Sequence, residues 1–372
     1  MKQMIEKGRI SALQMWIMLY PTVIATDIIT VPAISIKYAG RDLWLSTIWA
    51  SLVGFLVVYV IDRLNKLYPG QTFIQYCEHI LGVLPGKFLG LIYLFYFLFA
   101  EGIILREYAE FVNEAFLSHT PSFVIVGGLV FVCACAVRGG VEVIGRSAQS
   151  FFALFIITIF LVVLFLLPDL HVRHMFPILA HGIMPTIKGA FVSQSWYCQV
   201  FLGAFFLPYV VDRAKGKKWG MITVLFIMLN LLMIKLTVLF LFGQEVTSML
   251  TYPTMDAVRY ASLADFIEHL DLFVMAVWVA GMFVKVSVYY YALVLGTAQW
   301  LKLSDHRPLV LPYGFLMILF TFWIAPSYQK LGEFIEKADI FEVTLLFTVI
   351  PVFLLPLSVL RKRMQGKGGQ AS

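Results

Sequence analysis

Asp27, Glu101, Lys235 and Lys285 each lie inside a long apolar stretch of the sequence. An ionisable side chain at mid-membrane depth costs roughly 2.5–3.5 kcal/mol on insertion scales, so such a group normally faces the protein interior and has a partner. Two acids and two bases suit ion pairing or proton transfer. Lys285 has Asp27 and Glu101 as alternative partners, and these three residues are the candidates for either role. A purely structural buried ion pair is the plain alternative.

The segment YPTVIATDIITVP (20–32) carries Pro21 and Pro32 at its flanks and Ala25, Thr26 and Asp27 between them. Each proline removes a backbone donor and disturbs the helix around it. This pattern predicts an interruption near Ala25–Asp27, whose bare peptide groups lipid tolerates only where they line a buried cavity. The half-helix beyond such a break would aim positive partial charge at an anionic group such as a carboxylate. A proline-kinked, uninterrupted helix is the alternative.

A second polar cluster, Ser193, Gln194, Ser195, Trp196 and Tyr197, lies between Pro185 and Pro208. Hydroxyls and an amide supply hydrogen bonds there, and the two aromatics can wall an apolar pocket. No glycine or proline marks the centre of this segment, so interhelical hydrogen bonding explains the cluster equally well. By the 3.6-residue repeat, Tyr93, Tyr96, Ala100 and Glu101 share one helix face. Trp278, Gly281, Lys285 and Tyr289 share another. The candidate ligand-binding set is Ala25, Thr26, Asp27, Tyr93, Tyr96, Glu101, Ser193, Gln194, Ser195, Trp196, Tyr197 and Lys285.

Other chemistry finds little support. His171, His174 and His181 fall close together, but no cysteine or helical His/Glu motif accompanies them, and no metal is expected. Cys77, Cys133, Cys135 and Cys198 form no CxxC pair and read as free thiols. No nucleophile-elbow, zinc-protease or P-loop motif occurs, nor a dinucleotide fingerprint in a fitting context. Neither an enzyme nor a resident cofactor is therefore expected.

The elements that must hold these residues follow from composition. Of 372 residues, 60% are hydrophobic and 13% charged, more apolar surface than a water-soluble domain hides. Spanning about 30 Å of hydrocarbon takes roughly 20 apolar residues. Ten such segments fall near 11–36, 43–61, 88–112, 122–137, 148–167, 185–210, 219–243, 271–297, 308–325 and 341–360. The first is too long for a signal peptide and is expected to remain as a membrane helix. Basic residues concentrate in alternate connections, among them Arg63, Lys66, Arg138, Arg213, Lys217, Lys218 and Arg361–Arg363. Acids such as Glu107, Glu110, Glu114, Asp265 and Glu268 collect on the opposite side. The charge bias places both termini in the cytoplasm, and the net charge of +6 reads as membrane orientation, not nucleic-acid binding.

Two connections look alike: YPGQTFIQYCEHILG (68–82) and YPTMDAVRYASLADFIEHL (252–270) each open with Tyr-Pro and continue as a short amphipathic helix. Glu101 lies as far beyond Pro69 as Lys285 beyond Pro253. One integral membrane domain over 1–372 is expected, with inverted five-helix repeats over about 10–168 and 182–361 and interrupted helices 1 and 6.

ISALQMWIMLYPTVIATDIITVPAISIKYAGRDLWLS, YPGQTF, ILREYAEF, RGGVEVIGR and the run from YPTMDAVRY to VSVYYYA together resemble the spore germination permease family, the B subunits of GerA-type nutrient germinant receptors. The resemblance covers residues 10–361. It implies a ten-helix, all-α member of the amino acid–polyamine–organocation transporter superfamily with the LeuT-type fold. It also implies a small nutrient ligand, most often an amino acid, held between helices 1, 3, 6 and 8. The implied partners are A and C receptor subunits in the spore inner membrane. Ala25 stands where family members commonly have glycine, and Asp27 where they have an uncharged residue. Besides this receptor reading, a proton-coupled amino-acid or cation permease and a structural subunit with a vestigial pocket remain as alternatives.

Overall fold

A computed structural model describes residues 6, 8–263, 270–325 and 327–368. Asp265 and Glu268, part of the charge pattern above, lie outside the described residues, as do the basic Lys2 and Lys7 near the N-terminus. The described chain is helical apart from connecting turns, with a single parallel bridge between Ile10 and Val210.

α1 (Ala12–Ala39) meets α2 (Leu43–Leu67) across a tight turn at Gly40–Asp42. The short α3 (Phe73–Leu81) precedes α4 (Val83–Ala115), α5 (Ser122–Gly139) and α6 (Val141–Leu166). α7 (Met184–Tyr197) tightens into a 3₁₀ turn (Cys198–Leu202) and continues as α8 (Gly203–Phe206). Next come α9 (Gly216–Met249), α10 (Pro253–Leu263), α11 (Leu270–Trp300) and α12 (Val310–Trp323). The last stretch comprises α13 (Tyr328–Phe334), α14 (Ile340–Thr344) and α15 (Ile350–Gly368), joined by π turns at Ile335–Asp339 and Leu345–Val349.

Among the described residues, eight helical stretches are long and apolar enough to cross a membrane. The first, Ala12–Leu67, holds both α1 and α2, and Arg307–Trp323 is a shorter apolar helix. Both Tyr-Pro connections form short helices, α3 and α10. In α3, Thr72 and Gln75 form a reciprocal capping box that satisfies two otherwise orphaned backbone donors.

Burial divides the helices into an inner and an outer set. The most apolar window of α6 is 17% buried, whereas that of the 184–209 stretch is 94% buried. An apolar surface as bare as that of α6 requires lipid around it, while 184–209 must be surrounded by protein. α1 is buried along most of its length as well. Its start is fixed by Ser11 and Gln14, which cap each other, and by Asp212 Oδ1, which accepts from Ala12 N at 2.7 Å. The start of α1 is thereby tied to the segment that follows α8. Close approach around this core needs glycine: a Cβ on Gly189 would lie 2.6 Å from Ser46 Oγ and 2.9 Å from Ala39 Cβ.

The first helix corrects an expectation. α1 is continuous through Pro21, Ala25–Asp27 and Pro32. Proline removes one ladder bond, yet packing on every side holds the remaining turns in register. The second expected interruption is a tightening: α7 passes into 3₁₀ geometry at Cys198, one residue after the polar cluster, without leaving helical backbone angles.

Candidate functional site

α1 offers polar contacts without unwinding. A helical carbonyl that accepts the i+4 amide keeps a second lone pair. Thr22 O uses it to accept from Lys285 Nζ at 2.7 Å, and Ala25 O to accept from Trp278 Nε1 at 2.6 Å. Trp278, Gly281, Lys285 and Tyr289 therefore do face α1 and the interior along one side of α11: a Cβ on Gly281 would lie 3.8 Å from Ala25 Cβ. The Lys285 ammonium has three protons and three acceptors: Thr22 O, Thr26 Oγ1 at 2.7 Å and Gln199 Oε1 at 3.1 Å. Its charge also lies 6.0 Å from the centre of the Tyr289 ring.

Lys285, Thr26, Gln199 and Tyr289 border a small chamber of about 30 Å³, room for roughly one or two waters. Thr26, Tyr96, Trp196 and Lys285 of the expected set line it, together with Ala100, Gln199 and Tyr289. They come from α1, α4, α7 and the turn that follows it, and α11. Trp196 Nε1 donates to Thr26 Oγ1 at 2.9 Å and locks α7 to α1 at this point.

The other expected residues lie elsewhere. Asp27 is fully buried, and its partner is Lys235 of α9 at 3.5 Å, not Lys285. Lys235 Nζ also donates to Ser193 Oγ at 3.2 Å, and Ser193 Oγ is 3.2 Å from Ser35 Oγ. Asp27 lies two positions beyond Ala25, so on a continuous helix it points about 200° away and cannot reach what Ala25 faces. Gln194 donates to Thr344 Oγ1, and the Ser195 hydroxyl returns to Val192 O within its own helix. The Tyr93 phenol donates to Leu346 O, while the buried Tyr197 hydroxyl has no hydrogen-bond partner among the described residues. Ala25 meets α11 outside the chamber, and Glu101 is fully buried and does not line it.

Sequence reasoning missed Glu107 and Asp339, which also line the chamber. Glu107 continues the Tyr93–Ala100 side of α4 at i+7 from Ala100, a spacing visible in the sequence. It lies within the expected 88–112 segment, yet its charge groups it with the outer-side acids Glu110 and Glu114. Asp339 sits in the π turn between α13 and α14, which a period of 3.6 cannot place.

A larger hollow of about 780 Å³ opens at the junction of α1 and α2, lined by Lys37, Arg41, Asp42, His174, His181 and Glu245 among others. It exceeds the chamber in size, but several of its polar groups hold a loop in place. Both Asp42 oxygens lie 3.1 Å from Leu179 N, and Arg41 donates to Phe176 O. Gly243 takes φ 72° and breaks the backbone of α9 there. His174 Nδ1 meets the freed carbonyls of Leu239 (3.2 Å) and Phe240 (2.9 Å), and His171 N donates to Phe240 O at 3.0 Å. The histidines thus finish a helix end. Among the described residues no group of His, Cys, Asp and Glu has the arrangement of a metal site.

The family model described as spore germination protein matches residues 9–329. Spore germination protein KB of Bacillus subtilis (strain 168) is 26% identical over 98% of this chain and 99% of its own length. YndE, a spore germination protein of the same organism, is 24% identical over 96% and 98%. Among solved structures, a Na⁺-coupled sialic acid symporter superposes with a TM-score of 0.66 at 14% identity, covering 94% of this chain and 81% of the symporter. The manganese transporter of Eremococcus coleocola gives 0.61 at 13% identity, covering 96% and 81%. At such identities the likeness is one of fold: this chain has the architecture of LeuT-type transporters.

Proposed function

The chain belongs to the spore germination protein family, and from that premise we propose that it is the transporter-like subunit of a nutrient germinant receptor that binds a small molecule, an amino acid, in the chamber between α1, α4, α7 and α11. It is an integral, multi-pass membrane protein. Counting α1 and α2 as separate passes and α12 as a short one gives ten spans, arranged as two five-helix halves. The short helices α3 and α10, each after Tyr-Pro, are corresponding parts of those halves. Both termini face the cytoplasm, the membrane is the inner membrane of the spore, and A and C subunits complete the receptor.

The observation that supports this reading best is the meeting of Thr26, Tyr96, Trp196 and Lys285, from four distant parts of the chain, around one chamber. Such sites lie between helices in transporter-type folds. A ligand acts as a signal only through its differential affinity for two arrangements of the bundle. The test is a thermal-shift screen of purified protein against amino acids, sugars and nucleosides, followed by flux measurements in proteoliposomes. Stabilisation that disappears in Trp196→Ala, without net uptake, supports the receptor. Uptake driven by a pH gradient would make the protein a proton-coupled permease instead. That second reading draws on the buried Asp27–Lys235 pair, an unusual feature for a passive binding module.

A further inference from the structure

The hydrogen-bond capacity of the chamber is one-sided. The three protons of Lys285 are all taken by Thr22 O, Thr26 Oγ1 and Gln199 Oε1, so the ammonium has none left for an acid. Glu107 of α4 lines the chamber with only 8% of its surface exposed, and its Oε1 has no hydrogen-bond partner among the described residues. Asp339 lines the chamber from the π turn. It takes a side-chain hydrogen bond from Tyr96, yet its Oδ1 has none among the described residues. Arg106, the neighbouring cation on α4, is engaged by Glu110 at 2.7 Å. Neither Glu107 nor Asp339 forms an ion pair among the described residues. The Trp196 indole N–H is already given to Thr26.

A buried acceptor without a donor carries a desolvation cost that a donor-bearing guest relieves. We propose that Glu107 and Asp339 form the recognition subsite for a ligand's ammonium group, so that the chamber selects amines over carboxylates and neutral sugars. The inference rests on the chamber being the ligand site, as proposed above, and adds the class of ligand. An ammonium brings three donors to two carboxylates, and the Tyr96, Tyr289 and Trp196 rings around it add cation–π attraction. A carboxylate entering the same space would face two acids and an ammonium whose protons are already committed. The ligand's carboxylate, if it has one, is then dispensable. A two-element subsite also offers a trigger: an ammonium held by both acids draws α4 and the π turn together, and π turns are frequent at functional positions in helices.

The experiment is a thermal-shift and calorimetric series on the full-length purified protein with alaninamide, L-alanine, propionate and glucose. Alaninamide keeps the ammonium without the carboxylate, and propionate the reverse. Stabilisation by alaninamide and L-alanine but not by propionate or glucose is expected. Glu107→Gln and Asp339→Asn, which preserve shape, should each weaken the amine response about tenfold or more. A size-exclusion profile establishes that each variant is folded; for one that is not, the wild-type ligand series decides. Propionate or glucose stabilising as well as alaninamide overturns the assignment. If such a shift is lost in Trp196→Ala but kept in Glu107→Gln, the chamber survives as the ligand site and only the ammonium subsite falls. Amine shifts that persist in all these variants, Trp196→Ala included, overturn the chamber and the subsite together.

Discussion

Each of the buried lysines holds its surroundings in its own way, and substitution should separate them. Lys235 and Asp27 are both fully buried, and removing one strands the other's charge in a dry interior. Breaking such a pair costs about 3–5 kcal/mol, whereas replacing both members with apolar side chains is often neutral or better. Asp27→Leu and Lys235→Met singly should therefore lower the melting temperature in detergent, and the double substitution should recover most of the loss. A charge exchange between Asp27 and Lys235 should restore partial stability; one between Asp27 and Lys285 should restore none, because those two are not partners. Lys285→Met leaves Thr22 O, Thr26 Oγ1 and Gln199 Oε1 without their shared donor. It should reduce any ligand-induced stabilisation at least about tenfold, read in the same thermal-shift assay.

At the level of elements, stability depends on close helix approach and finished helix ends. Gly189 lets α7 lie against α1 and α2, where a larger residue meets Ser46 Oγ and Ala39 Cβ. Gly189→Val should cost roughly 1–3 kcal/mol by overpacking, seen as a lower melting temperature and reduced yield of monodisperse protein. His174 completes the broken end of α9 by hydrogen bonding to the carbonyls of Leu239 and Phe240. His174→Ala should destabilise by about 1–3 kcal/mol, and added zinc should not raise the melting temperature of the wild type. Zinc-dependent stabilisation lost in His174→Ala would restore the metal reading of the histidine cluster.

For the molecule as a whole, the decisive quantity is the size of the chamber. About 30 Å³ admits a water or two but no nutrient, so a ligand bound in the proposed site would need the surrounding helices to separate. The natural moving part is the segment from α13 to α15, whose first π turn supplies Asp339 and whose α14 supplies Val343 to the chamber. A cysteine at Val343, in a background with the native cysteines replaced, should react slowly with a membrane-impermeant thiol reagent. Ligand should change that rate, since it biases one arrangement over the other. Equal rates with and without a stabilising ligand would argue for a chamber that takes no part in signalling.

Much of this protein was legible in its residues, and the limits have physical causes. Hydropathy delimited the apolar segments because lipid requires long, internally bonded helices whatever their neighbours are. Helical periodicity grouped Trp278, Gly281, Lys285 and Tyr289, and α11 does turn them toward the interior, Trp278, Gly281 and Lys285 onto α1. The charges flagged as too deep for lipid, Asp27, Glu101, Lys235 and Lys285, are indeed buried. Their partners were not legible. Lys285 satisfies itself on α1 carbonyls, which every sequence has and no sequence marks, and Asp27 meets Lys235 because α9 packs beside α1. Two prolines looked sufficient to interrupt α1, yet the surrounding helices hold it continuous. Local sequence sets what each segment can be and how much charge it must hide; which charges meet, and whether a strained helix breaks, depends on neighbours hundreds of residues away.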